Sequence, residues 1–170
     1  MFQTMCAVVV RALLLVLPSP ADFEGTTHAG DPVVGEALRV LAQPVNAVSV
    51  VSRPQVRKLF YRATGGDPPA GLNAFRIRGD PTIYVNVESA VYREAALRPT
   101  AFHLLRLAAT LLHEQVHETD DEYAAYRLQA DFVRTRLAAL PSSQRAAASA
   151  YWRILEIRAI SLAKAQRLAR

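Results

Sequence analysis

A His-Glu-x-x-His pentapeptide, His113-Glu114-Gln115-Val116-His117, closes a mostly apolar run at 101–112 that reads as a helix. On a helix, residues four apart lie about 40° apart around the axis and roughly 6 Å along it. His113 and His117 therefore leave one face together, close enough to share a metal ion. Glu114 comes one position later, at the rim of that face, where a carboxylate reaches a metal-bound water without ligating the metal. This is the pattern of a zinc hydrolase. The bland alternative is a surface helix with solvated histidines. Histidine is scarce here, four in the chain, and two of the four fall in this pentapeptide, which favours the metal site.

The third ligand has to come from elsewhere. A catalytic zinc takes three protein ligands and a water, a structural one takes four. Were the helix to run on past His117, Asp120 and Asp121 would lie more than two turns from His113, too far for one tetrahedral ion. The chain must bend, and Thr119-Asp120-Asp121 is where it can. Residues 122–140 resume a helical pattern through Ala125, Leu128, Phe132, Val133 and Leu137. Glu122, in the first turn and facing back, is the leading ligand candidate. Its competing role is a capping box, Thr119-x-x-Glu122, in which the glutamate only satisfies a backbone N–H. Asp121 follows as ligand, with Asp120, Gln129 and Asp131 behind it. Tyr123, Tyr126 and Arg127 are near enough in sequence to stabilise an oxyanion, and nothing chooses among them.

His113-Glu114-x-x-His117 followed by Glu122-x-x-Ala125 at the start of a second helix resembles the gluzincin branch of the zincin metallopeptidases. The resemblance covers roughly residues 82–133, and its specific part is the pentapeptide. It implies Zn2+ held by His113, His117 and Glu122, with Glu114 as general base and a peptide or protein as substrate. It also implies an α+β, zincin-like fold, in which a small sheet or hairpin packs on a helical core that carries the motif helix. The chain does not resemble a metzincin, because Asp120 and Tyr123 stand where that branch has a glycine and a third histidine. The alternative to a peptidase is a catalytically idle zincin-like metal-binding or protein-interaction domain.

The rest of the chain must hold such a site in place. At 170 residues, 51% of them hydrophobic, the chain can bury its own core, and residues 32–170 read as one domain. The net charge of +5 is carried by arginines scattered along the sequence without interleaved aromatics, so nucleic acid is not an expected partner. The single Cys6 excludes an internal disulfide and a cysteine-based zinc site. Residues 1–31 read either as a signal peptide, with an apolar stretch at 12–17 and cleavage after Ala21, or as an apolar N-terminal helix with a polar lead-in containing a solvated His28. The interrupted apolar run is too short for a membrane span.

Helical spacing covers 33–43, ending before Pro44, and Pro54 opens another helix through 62. A β-branched strand is expected at 46–52. Two alternating runs, 73–78 and 82–87, flank Gly79-Asp80-Pro81 as a hairpin. The second run is a candidate sheet edge that could take up an extended peptide beside the metal. A short helix at 89–97 ends at Arg98-Pro99. Thr100 can cap the motif helix, whose buried face is Leu104, Leu105, Ala108, Leu111, Leu112 and Val116. His103 is roughly 15 Å up that helix from His113 and is left out of the site. A last helix, 142–169, is expected to dock through Tyr151, Ile154, Leu155, Ile157, Leu162 and Leu168. Arg153, Arg158, Lys164, Arg167 and Arg170 would then form a solvated basic face.

Overall fold

The computed structural model describes residues 30–168 apart from 44, 46 and 118–120. The two readings of the N-terminal stretch, His28, Thr119, Asp120 and Arg170 lie outside the described residues. The described chain is α+β, with a three-stranded sheet and six α-helices: α1 (Pro32–Leu41), β1 (Val48–Val51), α2 (Arg53–Thr64), β2 (Ala74–Arg76), β3 (Ile83–Asn86), α3 (Ala90–Leu97), α4 (Ala101–Val116), α5 (Glu122–Arg136) and α6 (Ser142–Leu168). A short 3-10 turn at Leu137–Ala139 joins the last two helices.

Local chemistry sets most of these boundaries. Asp31 caps α1 by accepting from the backbone N–H of Val33 and Val34 at 2.9 Å each, with Pro32 in the first turn. Its other carboxylate oxygen accepts from the Tyr92 hydroxyl at 2.7 Å, which ties α1 to α3. Gly65 ends α2 with a φ of 72°, a left-handed conformation glycine adopts without a steric penalty. Thr100 caps α4 as expected, accepting from the His103 N–H at 3.3 Å. Gln144 of α6 accepts from the Phe102 N–H at 2.8 Å, satisfying another orphan donor at the same helix end.

The sheet order is β1-β3-β2, with β1 parallel and β2 antiparallel to β3. The hairpin is therefore present, but its second strand is central. β3 has a strand on each side, so the expectation that it offers an edge to a peptide is wrong, and both β2 and β3 pack against α4. The pleat divides the side chains between two faces. Val48, Val50, Ala74, Ile83 and Val85 join the main core with α1 and α4. Val51, Phe75 and Tyr84 pack instead with Val56 and Leu59 of α2, and Phe75 stacks on Tyr84 at 5.3 Å.

α4 runs through the middle of the main core. Every residue from Leu107 to His113 is buried, including Leu107 and Ala109, which a one-sided apolar stripe leaves out. Leu104 and Val116, assigned to the buried face, are only partly covered. The helix has neighbours on all sides: α1 and α3, the sheet, α5 and α6.

α6 buries only part of the expected docking face, Leu155 and, in part, Tyr151. Its covered stripe is Ala148, Leu155 and Ala159, with Tyr151 and Trp152 half-buried. Ile154, Ile157 and Leu168 are exposed. The two alanines let α6 approach its partners closely, and that contact fixes the helix rotation and turns the isoleucines outward. Leu128 of α5 is likewise exposed, because Gln129 takes the inward position beside it.

Candidate metal centre

His113 and His117 meet where α4 ends. α4 stops at Val116, with His117 as its C-cap, so the chain leaves the helix axis before it can carry the acidic residues away. The Nε2 atoms of the two rings are 3.0 Å apart. α5 starts at Glu122 and returns beside α4. Its N-cap is Asp121, whose side chain accepts from the Ala124 N–H at 3.1 Å. That occupies the carboxylate of Asp121 as a cap and leaves Glu122 in the first turn, facing the histidines. One Glu122 oxygen lies 3.7 Å from His113 Nε2 and the other 3.5 Å from His117 Nε2.

These separations suit a metal. A tetrahedral ion about 2.0–2.2 Å from each donor holds its donors roughly 3.3–3.6 Å apart. The separation of the two imidazole nitrogens, and the approach of a Glu122 oxygen to each, are within a few tenths of an ångström of that spacing. The Glu114 carboxylate joins the two histidines, with one ligand atom from each of the three within 4.8 Å of the others. His113, Glu114 and His117 thus form a group that could hold a metal ion, and Glu122 reaches both imidazoles from the start of α5.

Burial sets the protonation states. His113 is almost wholly enclosed, and its pKa falls from 6.5 to about 3, mostly through desolvation and then through the neighbouring His117. It is therefore neutral at physiological pH, as a metal-ligating imidazole must be. Glu114 retains some accessible surface but is enclosed deeply enough to raise its pKa to about 8. Desolvation is the main cause and the Glu122 charge adds to it, while Arg76 pulls the other way. A cation between the rings would offset the Glu122 charge and draw Glu114 back down.

The surrounding wall comes from α5, α6 and β2. The Tyr126 ring packs edge-on against His113 with centroids 4.6 Å apart, and its hydroxyl accepts from Arg158 at 2.9 Å. Arg76 donates to the Gln115 carbonyl at 3.3 Å, bracing β2 against the motif turn. Gln129 is buried and donates to the Tyr151 hydroxyl at 2.9 Å.

His113, Glu114, His117 and Glu122 are thus brought together. Asp131 is not among them: it pairs with Arg127 and Arg134 on the outer face of α5, and that contact also takes Arg127 away from the site. Of the oxyanion candidates, Tyr126 packs against a motif side chain. Arg158 is exposed, as expected of the basic face, and also donates to the Tyr126 hydroxyl. Arg76 and Arg158 carry no local sequence signal, because each reaches the site through tertiary packing from a distant element. His103 stays out of the site, with Nδ1 2.6 Å from the Arg98 carbonyl oxygen.

Compared with protein-family models, curated proteins and solved structures, the chain matches none of them.

Proposed function

We propose that this chain is a zinc-dependent peptide hydrolase, with His113, His117 and Glu122 as metal ligands and Glu114 as general base. The observation that carries the reading is the convergence of His113 Nε2 and His117 Nε2, 3.0 Å apart, with one Glu122 oxygen 3.7 Å from the first and the other 3.5 Å from the second. When bound, zinc would lower the pKa of a coordinated water and polarise the scissile carbonyl. Glu114 is suited to proton transfer. Its pKa lies above the ordinary carboxylate range, so a small change in local charge moves it between base and acid near neutral pH. In this role it takes the proton from the attacking water and hands it to the leaving amine. Arg76 steadies the charged form of Glu114, and Tyr126 buttresses the His113 ring.

A second reading keeps the metal and removes the chemistry. The Glu114 carboxylate is close enough to both imidazoles to serve as a fourth ligand, which would close the site and leave it structural. Glu114→Gln separates the two. A hydrolase keeps its zinc in this variant and loses cleavage of a quenched-fluorescent peptide library by roughly a hundredfold or more. A closed site loses zinc affinity, and wild type and variant alike cleave nothing.

A further inference from the structure

Beneath the candidate metal centre, α5 and α6 form a polar contact inside otherwise apolar packing. Nδ1 of His113 is buried and makes no hydrogen bond, and the Gln129 side chain is among the groups that act on this ring. Gln129 is seven residues after Glu122, two turns along α5, so the two side chains leave the same face of that helix. Its amide nitrogen is committed to the Tyr151 hydroxyl at 2.9 Å. Tyr151 is itself held: its ring meets Phe102 edge-on at 6.2 Å and carries the Arg106 guanidinium 5.3 Å from its centroid. An interior polar pair of this kind costs stability unless each member is satisfied, and an amide fixed at its nitrogen end can satisfy an N–H at its oxygen end.

We propose that Gln129, oriented by Tyr151, is the positioning residue for His113, accepting from Nδ1–H and so reserving Nε2 for the metal. The inference rests on the metal-binding half of the proposed function and extends it from the ligands to their support. His113 Nε2 is the atom that faces His117 and Glu122, so the tautomer protonated at Nδ1 is the one a metal site requires. A ring free to take either tautomer would spend part of its time with a proton where the metal must bind. Partners of this type commonly change metal affinity by roughly 10–100-fold when removed.

The test compares Gln129→Met, which keeps the length and loses the acceptor, with Gln129→Glu, which keeps an acceptor oxygen. Zinc affinity of the full chain is read by competition with a chromophoric chelator, beside urea denaturation of each zinc-free protein. The expected result is a roughly 10–100-fold weaker affinity for Gln129→Met, with Gln129→Glu restoring most of it, whatever their stabilities. Should Gln129→Met not fold, Tyr151→Phe carries the same test, because it frees the amide while keeping the ring. Affinity within about twofold of wild type for the Met or Phe variant overturns the proposal, as does an equal loss in the Met and Glu variants. Nitrogen-15 NMR of zinc-free protein gives a second reading: His113 should be the Nδ1–H tautomer in wild type and a mixture in Gln129→Met. An Nε2–H ring in wild type overturns the proposal. A wild type that shows the Nδ1–H tautomer yet binds no zinc sinks the hydrolase instead and leaves the positioning contact standing.

Discussion

Glu122, the first residue of α5, sets one carboxylate oxygen 3.5 Å from Nε2 of His117, the residue that closes α4. The relationship exists because the chain turns between the two helices. Asp121 takes over the capping of α5, so Glu122 has no helix end to satisfy. The capping box that competed for Glu122 needs Thr119, which lies outside the described residues, but the cap is occupied by Asp121 in any case.

Glu122→Ala and Asp121→Ala should therefore behave differently. Removing Glu122 deletes a donor from the proposed three-donor site, and zinc affinity should fall by several orders of magnitude with little change in the zinc-free fold. Losing Asp121 takes away a helix cap, worth about 1 kcal/mol, and should lower thermal stability while zinc stays bound. Isothermal titration with zinc and a melting curve of each variant decide it. The reverse pattern would make Asp121 the ligand.

Zinc-free protein should show a distinctive pH profile of stability. His113 titrates at about 3 when folded against 6.5 when unfolded, so the unfolded chain binds the extra proton between those values and stability falls as pH drops through them. Glu114 acts in the opposite direction, at about 8 when folded against 4.5 when unfolded, so the folded chain holds the extra proton and stability falls as pH rises from 4.5 to 8. The two slopes oppose each other between 4.5 and 6.5, which leaves a plateau there with a decline on either side. Urea unfolding across pH 3–8.5 checks it. Glu114→Gln should abolish the alkaline decline and spare the acid one; an unchanged alkaline limb would show that Glu114 is not its source.

Metal should stabilise the fold by linkage. Saturating zinc raises the melting temperature because the ligands converge only in the folded chain, and at 100 times the dissociation constant the gain is about 2.7 kcal/mol. A chelator such as EDTA should reverse the shift. His117→Ala should show no shift at all, and a shift that persisted there would assign the metal to another place.

α6 offers a check on the packing. Ala148 and Ala159 are fully buried, whereas Ile157 is 63% exposed. Ala159→Leu should cost about 1–3 kcal/mol by overpacking, and Ile157→Ser should stay within about 0.5 kcal/mol of wild type. Denaturant midpoints measure both, and a larger loss for Ile157→Ser would mean that the helix is rotated from this arrangement.

Legibility in the sequence followed how local each determinant is. The motif turn, the Thr100 cap and the hairpin were readable because their signals are contained within a few residues. The need for a bend after His117 was readable from helical rise alone. The inward faces of α5 and α6 were legible only in part: Ala125, Phe132, Val133 and Leu155 are buried as their spacing suggests, whereas Leu128, Ile154 and Ile157 are exposed. Leu128 and Ile157 look like core residues by side chain, but Gln129 and the alanines of α6 decide the rotation through contacts between helices. For the same reason β3 looked like an edge strand: the parallel partner β1 lies more than thirty positions earlier, with α2 and β2 between them. The Gln129–Tyr151 contact, 22 residues apart, belongs to this class, as do Arg76 and Arg158.

The most direct test of the central claim is a metal count. Protein purified without added zinc or chelator, and analysed by inductively coupled plasma mass spectrometry, should carry about one zinc per chain, and the His113→Ala, His117→Ala double variant should carry none. Wild-type protein that folds, is given zinc, and still retains no more metal than the double variant would contradict the account.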